Sequence, residues 1–191
     1  GKATAFANSN IAFIKYWGNR SAELRLPAAD SLSMTLDSPT MEISIEHAEE
    51  LTVNSYNVEG NARQLQEKEI ARFGKHLELV QRYLSILDAR DAIRKSIAFT
   101  IHSNIPPAIG LASSAALFSG VAKAYAELLK EQGLQLSDEQ ISVIARLGSG
   151  SAARSVMGGF VILKAGQGED IASAKAIQIA PASHWPLHDI V

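Results

Sequence analysis

Met41, Ile43 and Ile45 alternate with Glu42, Ser44 and Glu46, so an extended backbone here has one apolar and one polar face. A period of two marks a half-buried strand. The same reading predicts strands near 4–14, 32–37, 41–47 and 50–56, with Asp37, Ser38 and Pro39 as a turn between the second and third. From 65 to 88 the period changes: Ile70, Phe73, Leu77, Val80, Leu84 and Leu87 recur at spacings of three and four, one face of a helix that should pack on the sheet. A strand follows at 96–102, and then a helix over 115–130 that ends before Gly133. A third helix is expected from Ser137, with Asp138 and Glu139 in its first turn, where acidic side chains complement the helix dipole, and it should stop near Gly148. Beyond it, 148–164 reads as loop, short helix, Gly-Gly turn and strand, and 176–180 as a last strand. The order of elements indicates an α+β class.

Composition narrows the function more than the fold. Eighteen basic residues against twenty acidic ones give a formal charge of -2, which offers no footprint for a nucleic-acid backbone. With no cysteine there is neither a disulfide framework, a thiolate metal site nor a Cys nucleophile. The five histidines, at 47, 76, 102, 184 and 188, lack zincin spacing and are read as structural or surface residues. The first residues lack the apolar core of a signal peptide and no apolar run reaches membrane-spanning length, so a cytoplasmic protein without membrane contact is expected.

Three stretches could carry chemistry. Pro107 to Ala116 joins a strand to a helix: Gly110 allows close backbone approach, while Ser113 and Ser114 stand at a helix start where N–H groups have no partner. Local physics leaves two readings, a polyphosphate cradle or a Ser-capped helix packed through small residues. The loop is neither a Walker A nor a dinucleotide fingerprint, since no Lys follows the glycine and the Gly spacing differs. The second stretch, Gly148 to Arg154, sets Ser149, Ser151 and the Arg154 guanidinium within about one helical turn, suited to an anion or to a capped turn with a surface Arg. The third, Asn10 to Gly18, puts Lys15 on one strand face with Phe13 and Trp17, either snorkelling at a sheet edge or poised for an anion.

NIAFIKYWGN at 10–19, LPAADSLSMTLD at 26–37, PPAIGLASSAA at 106–116 and ARLGSGSAARSVMGGF at 145–160, in this order, resemble the diphosphomevalonate decarboxylase family of the GHMP kinase superfamily. The resemblance implies a ribosomal-protein-S5-domain-2-like fold for 1–180, binding ATP and substrate, with 181–191 beginning a second domain. It implies ATP-dependent phosphorylation of a mevalonate 5-phosphate ester followed by loss of phosphate and CO2, with Mg²⁺ beside the nucleotide. Implied nucleotide contacts are Gly110, Leu111, Ala112, Ser113 and Ser114, with Ser114 also on the metal. Implied substrate contacts are Tyr16, Ser149, Ser151 and Arg154, and Lys15 and Asn10 line the reacting centre.

The family's general-base Asp belongs to an Asp-x-Gly-Pro-Asn segment that this sequence lacks, so a fragment of poor turnover is expected. Asn19 stands where the diphosphate enzymes have Lys, and Asp30 where Asn or Ser is common, which favours a monophosphate substrate if both face the anion. The implied partner is a small phosphorylated molecule, with a homodimer as candidate assembly. Rival readings are a kinase of the same superfamily without decarboxylation, and a non-catalytic ligand-binding module.

Overall fold

The computed structural model describes residues 1–15, 18–94, 96–105 and 113–188, with the backbone alone of Ser113. Its centre is β4 (Ser31–His47), paired antiparallel with β1 (Lys2–Ile14). Ala3, Ala5 and Ala7 point to one side of β1 and are buried, while Lys2, Thr4 and Phe6 point to the other and are exposed. β4 gives its first part, Ser31 to Met34, to β8 (Phe160–Lys164), and its later part, Met41 to His47, to β7 (Ile97–Ser103). β5 (Thr52–Tyr56) runs parallel to β7, β6 (Ala62–Arg63) borders β5, and β9 (Lys175–Ala180) borders β8, giving one mixed seven-stranded sheet. A separate hairpin pairs β2 (Asn19–Ser21) with β3 (Leu26–Pro27).

The turn expected at Asp37–Ser38–Pro39 does not end the strand: β4 continues through these residues but bulges there, since the stretch from Thr35 to Thr40 lies opposite only Asn10 to Asn8 of β1. The reason lies in its partners. Pro39 has no N–H for a ladder, and it falls in the gap after β8 pairing ends at Met34 and before β7 pairing begins at Met41. The change of partner coincides with a register shift in β1 between Asn8 and Asn10.

α1 (Glu67–Ile86), α2 (Ser113–Lys130) and α3 (Asp138–Gly148) cover one face of the sheet. α2 lies directly on β1 and β4, and Gly120 makes this possible, because a Cβ there would come within 2.6 Å of Ile43 Cγ1. α1 packs beside α3 and buries the expected face, Phe73, Leu77, Val80 and Leu84, in the core shared with β7, the Phe73 ring centroid lying 5.0 Å from that of Phe99. α3 begins where its sequence predicts, with Ser137 Oγ accepting from Gln140 N at 3.2 Å and Gln140 returning the bond to Ser137 N. Among the described residues no helix is long and apolar enough to cross a membrane.

Candidate active site

The end of α3, the start of α2, and β1 and β4 beneath them meet at a short 3-10 helix, Gly150–Ser155. α3 stops at Gly148, whose missing side chain leaves room for Phe118, since a Cβ there would run into that ring. Ser149 is extended and starts the tighter turn, so the chain reverses beside the first turn of α2. Three hydroxyls thereby form a row: Ser114 Oγ is 3.3 Å from Ser149 Oγ, which is 3.3 Å from Ser151 Oγ.

Beneath the row lies a buried polar network. Asn10 Nδ2 donates to Ser151 O at 3.0 Å and to Ser155 Oγ at 2.7 Å, which uses both amide hydrogens. Asn10 Oδ1 accepts from Arg154 Nη2 at 3.3 Å. Arg154 also donates from Nε to Ser33 Oγ at 2.9 Å and from Nη1 to Ser31 Oγ, three bonds to neutral oxygens from a side chain only 2% exposed. Thr35 Oγ1 is shared between the carbonyls of Arg154, at 3.1 Å, and Met157, at 2.8 Å. The guanidinium is therefore held from below by alternate hydroxyls of β4 and from the side by β1. Neither the capped-turn reading nor a surface Arg describes it.

Of the residues expected at the site, Asn10, Ser114, Ser149, Ser151 and Arg154 come together, across up to 144 positions of sequence. Lys15 is exposed just past β1, following Ile14, which pairs with Leu32 beside Ser31, and makes no hydrogen bond or ion pair among the described residues. Tyr16, Gly110, Leu111 and Ala112, and the side chain of Ser113, lie outside the described residues. Ser31, Ser33, Thr35 and Ser155 were not anticipated. Their signal was present as Ser-x-Ser-x-Thr at 31–35, hydroxyls at the period of a single strand face.

Asp30 does not face the network. Its Oδ1 accepts from Ala165 N at 2.7 Å and its Oδ2 sits 3.4 Å from Lys164 Nζ, so its charge is spent at the β4–β8 edge. Asn19 is exposed on β2, opposite Pro27.

Residues 7–175 match the family described as "Diphosphomevalonate decarboxylase-like N-terminal domain". The chain belongs to this family. Diphosphomevalonate decarboxylase from Aspergillus fumigatus is 39% identical over 97% of this chain and 46% of its own length, and that from Ganoderma lucidum 36% identical over 100% and 48%. The chain thus spans about half the length of the curated relatives it matches. Mevalonate diphosphate decarboxylase from Trypanosoma brucei superposes with a TM-score of 0.75 at 33% identity, covering 97% of this chain and 47% of that one. A further related structure, in complex with MVAPP, AMPPCP and magnesium, has a TM-score of 0.70 at 31% identity, covering 96% and 52%. The decarboxylases share the fold of the GHMP kinases, so the α+β, S5-like architecture expected from sequence is the one found.

The family's nucleotide and Mg²⁺ can be tested against the residues present. A row of neutral hydroxyls at a helix start, over a fixed guanidinium, matches the oxygens of a polyphosphate. No cluster of three or more His, Cys, Asp or Glu side chains able to hold a metal comes together among the described residues. Mg²⁺ that arrives with phosphates keeps several waters and draws few protein ligands, and the Ser114 hydroxyl at the start of α2 is one oxygen available to it.

Proposed function

We propose that this chain is the nucleotide- and substrate-binding half of an ATP-dependent decarboxylase that converts mevalonate 5-diphosphate to isopentenyl diphosphate, ADP, phosphate and CO2. In this reading residues 1–180 form the binding domain and 181–191 lead into a second one. The observation that carries it is the row of Ser114, Ser149 and Ser151 hydroxyls over the buried Asn10–Arg154 pair. The homology to decarboxylases along nearly the whole chain supports the same assignment.

ATP supplies the phosphoryl group that turns a tertiary hydroxyl into a good leaving group. Ser114 and the loop before it hold the nucleotide's phosphates, with the Ser114 hydroxyl on Mg²⁺. Ser149 and Ser151 donate to the phosphate ester, and Arg154 supplies fixed positive charge for the substrate's anionic end. Preorganised donors of this kind need no rearrangement as charge moves during phosphoryl transfer. Asn10 acts through Arg154 and Ser151 as a positioning residue, since both its amide hydrogens are engaged. Lys15, just past the end of β1, lines the reacting centre, and Tyr16 completes the substrate side.

The neutral, exposed Asn19 favours a monophosphate as second substrate. The deciding experiment incubates the intact protein with ATP and either mevalonate 5-diphosphate or 5-phosphate, and follows CO2 and ADP. CO2 in step with ADP is expected. ADP with a stable phosphorylated product and no CO2 would make the protein a kinase, and ligand binding without ADP would make it a binding module.

A further inference from the structure

The 3-10 helix that carries Arg154 is only six residues long and does not fix its own direction. Bonds from i to i+3 are poorly aligned, and the carbonyls at a helix exit have no helical N–H to meet. One point of the sheet supplies both needs. Asn10 and Thr35 are cross-strand partners in β1 and β4, at the register shift between Asn8 and Asn10. Asn10 holds the short helix through Ser151 O and Ser155 Oγ. Thr35 holds its exit: the hydroxyl is shared between Arg154 O, at 3.1 Å, and Met157 O, at 2.8 Å, and the Thr35 N–H donates to Gly159 O at 2.9 Å.

Arg154 is consequently gripped by one strand at both ends. Ser31 and Ser33 accept from its guanidinium, and Thr35, next on the same face of β4, donates to its carbonyl. Turning the short helix about its axis would break the Thr35 bonds and pull the guanidinium off both serines, so the side chain has a single aim. Gly159 closes the arrangement. Its φ is 74° and a Cβ there would come within 2.4 Å of Ala180 O, so the chain leaves the helix for β8 by one route.

We propose that Thr35 is a positioning residue of the site, one that aims Arg154 at the anionic end of the substrate by holding the backbone that carries it, a role that rests on reading Arg154 as the substrate's cation. Thr35 makes no ligand contact in this role, because its one hydroxyl hydrogen is spent on two carbonyls. Its effect passes through Arg154 to the phosphate ester. The nucleotide, held from Ser114 at the start of α2, is little touched.

The test compares Thr35→Val, which keeps the branched shape that suits a strand and removes the hydroxyl, with Thr35→Ser, which retains a hydroxyl. In the intact protein, affinities for mevalonate 5-diphosphate and for AMPPCP with magnesium are titrated separately, with melting temperatures alongside, and the series is repeated on Arg154→Lys. Thr35→Val should weaken the ester about fivefold and the nucleotide less than about twofold, while Thr35→Ser binds the ester within about twofold of the parent. On Arg154→Lys, the valine should cost less than about a further twofold, because the residue it acts through is already gone. Should Thr35→Val not fold, Thr35→Ala carries the same expectations. Normal ester affinity in Thr35→Val, with Arg154→Lys impaired, would overturn the positioning role and leave Arg154 on the substrate. Normal ester affinity in Arg154→Lys would remove Arg154 from the substrate, and the role of Thr35 with it. Equal weakening of both ligands, or losses that multiply in the double variant, would mark general damage to the fold and overturn the proposal as well.

Discussion

Arg154 shows what burial does to an apparently simple binding residue. In the sequence it is a guanidinium in a Gly-Ser-rich turn, and its suitability for an anion is legible there. Its dependence on Ser31, Ser33 and Asn10 is not, because those residues are distant in sequence and only the pairing of β1 and β8 with β4 brings them near. The consequence is that Arg154→Ala does more than remove a ligand contact. It leaves Asn10 Oδ1 without this donor, so the folded state should lose about 2–3 kcal/mol as well as substrate affinity. Chemical denaturation alongside a substrate titration separates the two losses. Asn10→Ala should lower turnover through the same network, and Asn10→Asp should lower it at least as far, because a carboxylate cannot donate to Ser151 O and its charge offsets that of Arg154. Initial rates on the three proteins check that order. Asp30 teaches the converse: its charge was conspicuous in the sequence, but alternation along β4 sends Ser31 inward and leaves Asp30 to Ala165 and Lys164.

Among elements, the helices were the most legible, because each carries its own period or caps, as Ser137 and Gln140 do for α3. β4 was less so: residues that ordinarily break a strand sit where it changes partners, and no local signal reports a partner. The seam between α1 and α3 has a titratable group at its centre. His76, 2% exposed, has Nε2 2.9 Å from Ile144 O and its ring against Phe118 and Tyr125. Burial pushes its pKa down to about 4 from 6.5, with Arg72 and Arg25 adding smaller effects in the same direction. The unfolded chain therefore takes up this proton first as pH falls below 6.5, and stability declines from there until about pH 4, where the folded protein is protonated too. A depression of this size corresponds to about 3 kcal/mol. Melting temperature against pH should show that decline, and His76→Phe, which keeps an aromatic ring, should flatten it. The contact of α3 with α2 makes a sharper demand. Gly148→Ala drives a methyl group into Phe118, so it should cost about 1–3 kcal/mol and separate Ser149 from Ser114. Weakened ligand binding together with a lower melting temperature is the expected pair of results.

For the whole molecule, the site is a meeting of chain segments that are remote in sequence: β1 gives Asn10, β4 gives Ser31, Ser33 and Thr35, α2 gives Ser114, and the 3-10 helix gives Ser151, Arg154 and Ser155. Four short motifs in the right order made this meeting legible as a family resemblance. Its geometry was not legible, since it depends on how β4 divides its edge between two partners. Such a site exists only when the sheet and all three helices are assembled, so a ligand that fills it must stabilise the entire fold by mass action. At a free concentration 100 times its dissociation constant, a ligand specific for the folded state adds about 2.7 kcal/mol. For a chain of this length that raises the melting temperature by about 5–10 °C. AMPPCP with magnesium and mevalonate 5-diphosphate should each produce such a rise in the intact protein, and together a larger one, because the proposed function puts them side by side at the hydroxyl row. Ser149→Ala should diminish both shifts, since its hydroxyl lies between those of Ser114 and Ser151. A rise with one ligand that survives Ser149→Ala unchanged would locate that ligand away from the hydroxyl row, and the single-cleft description would have to be abandoned.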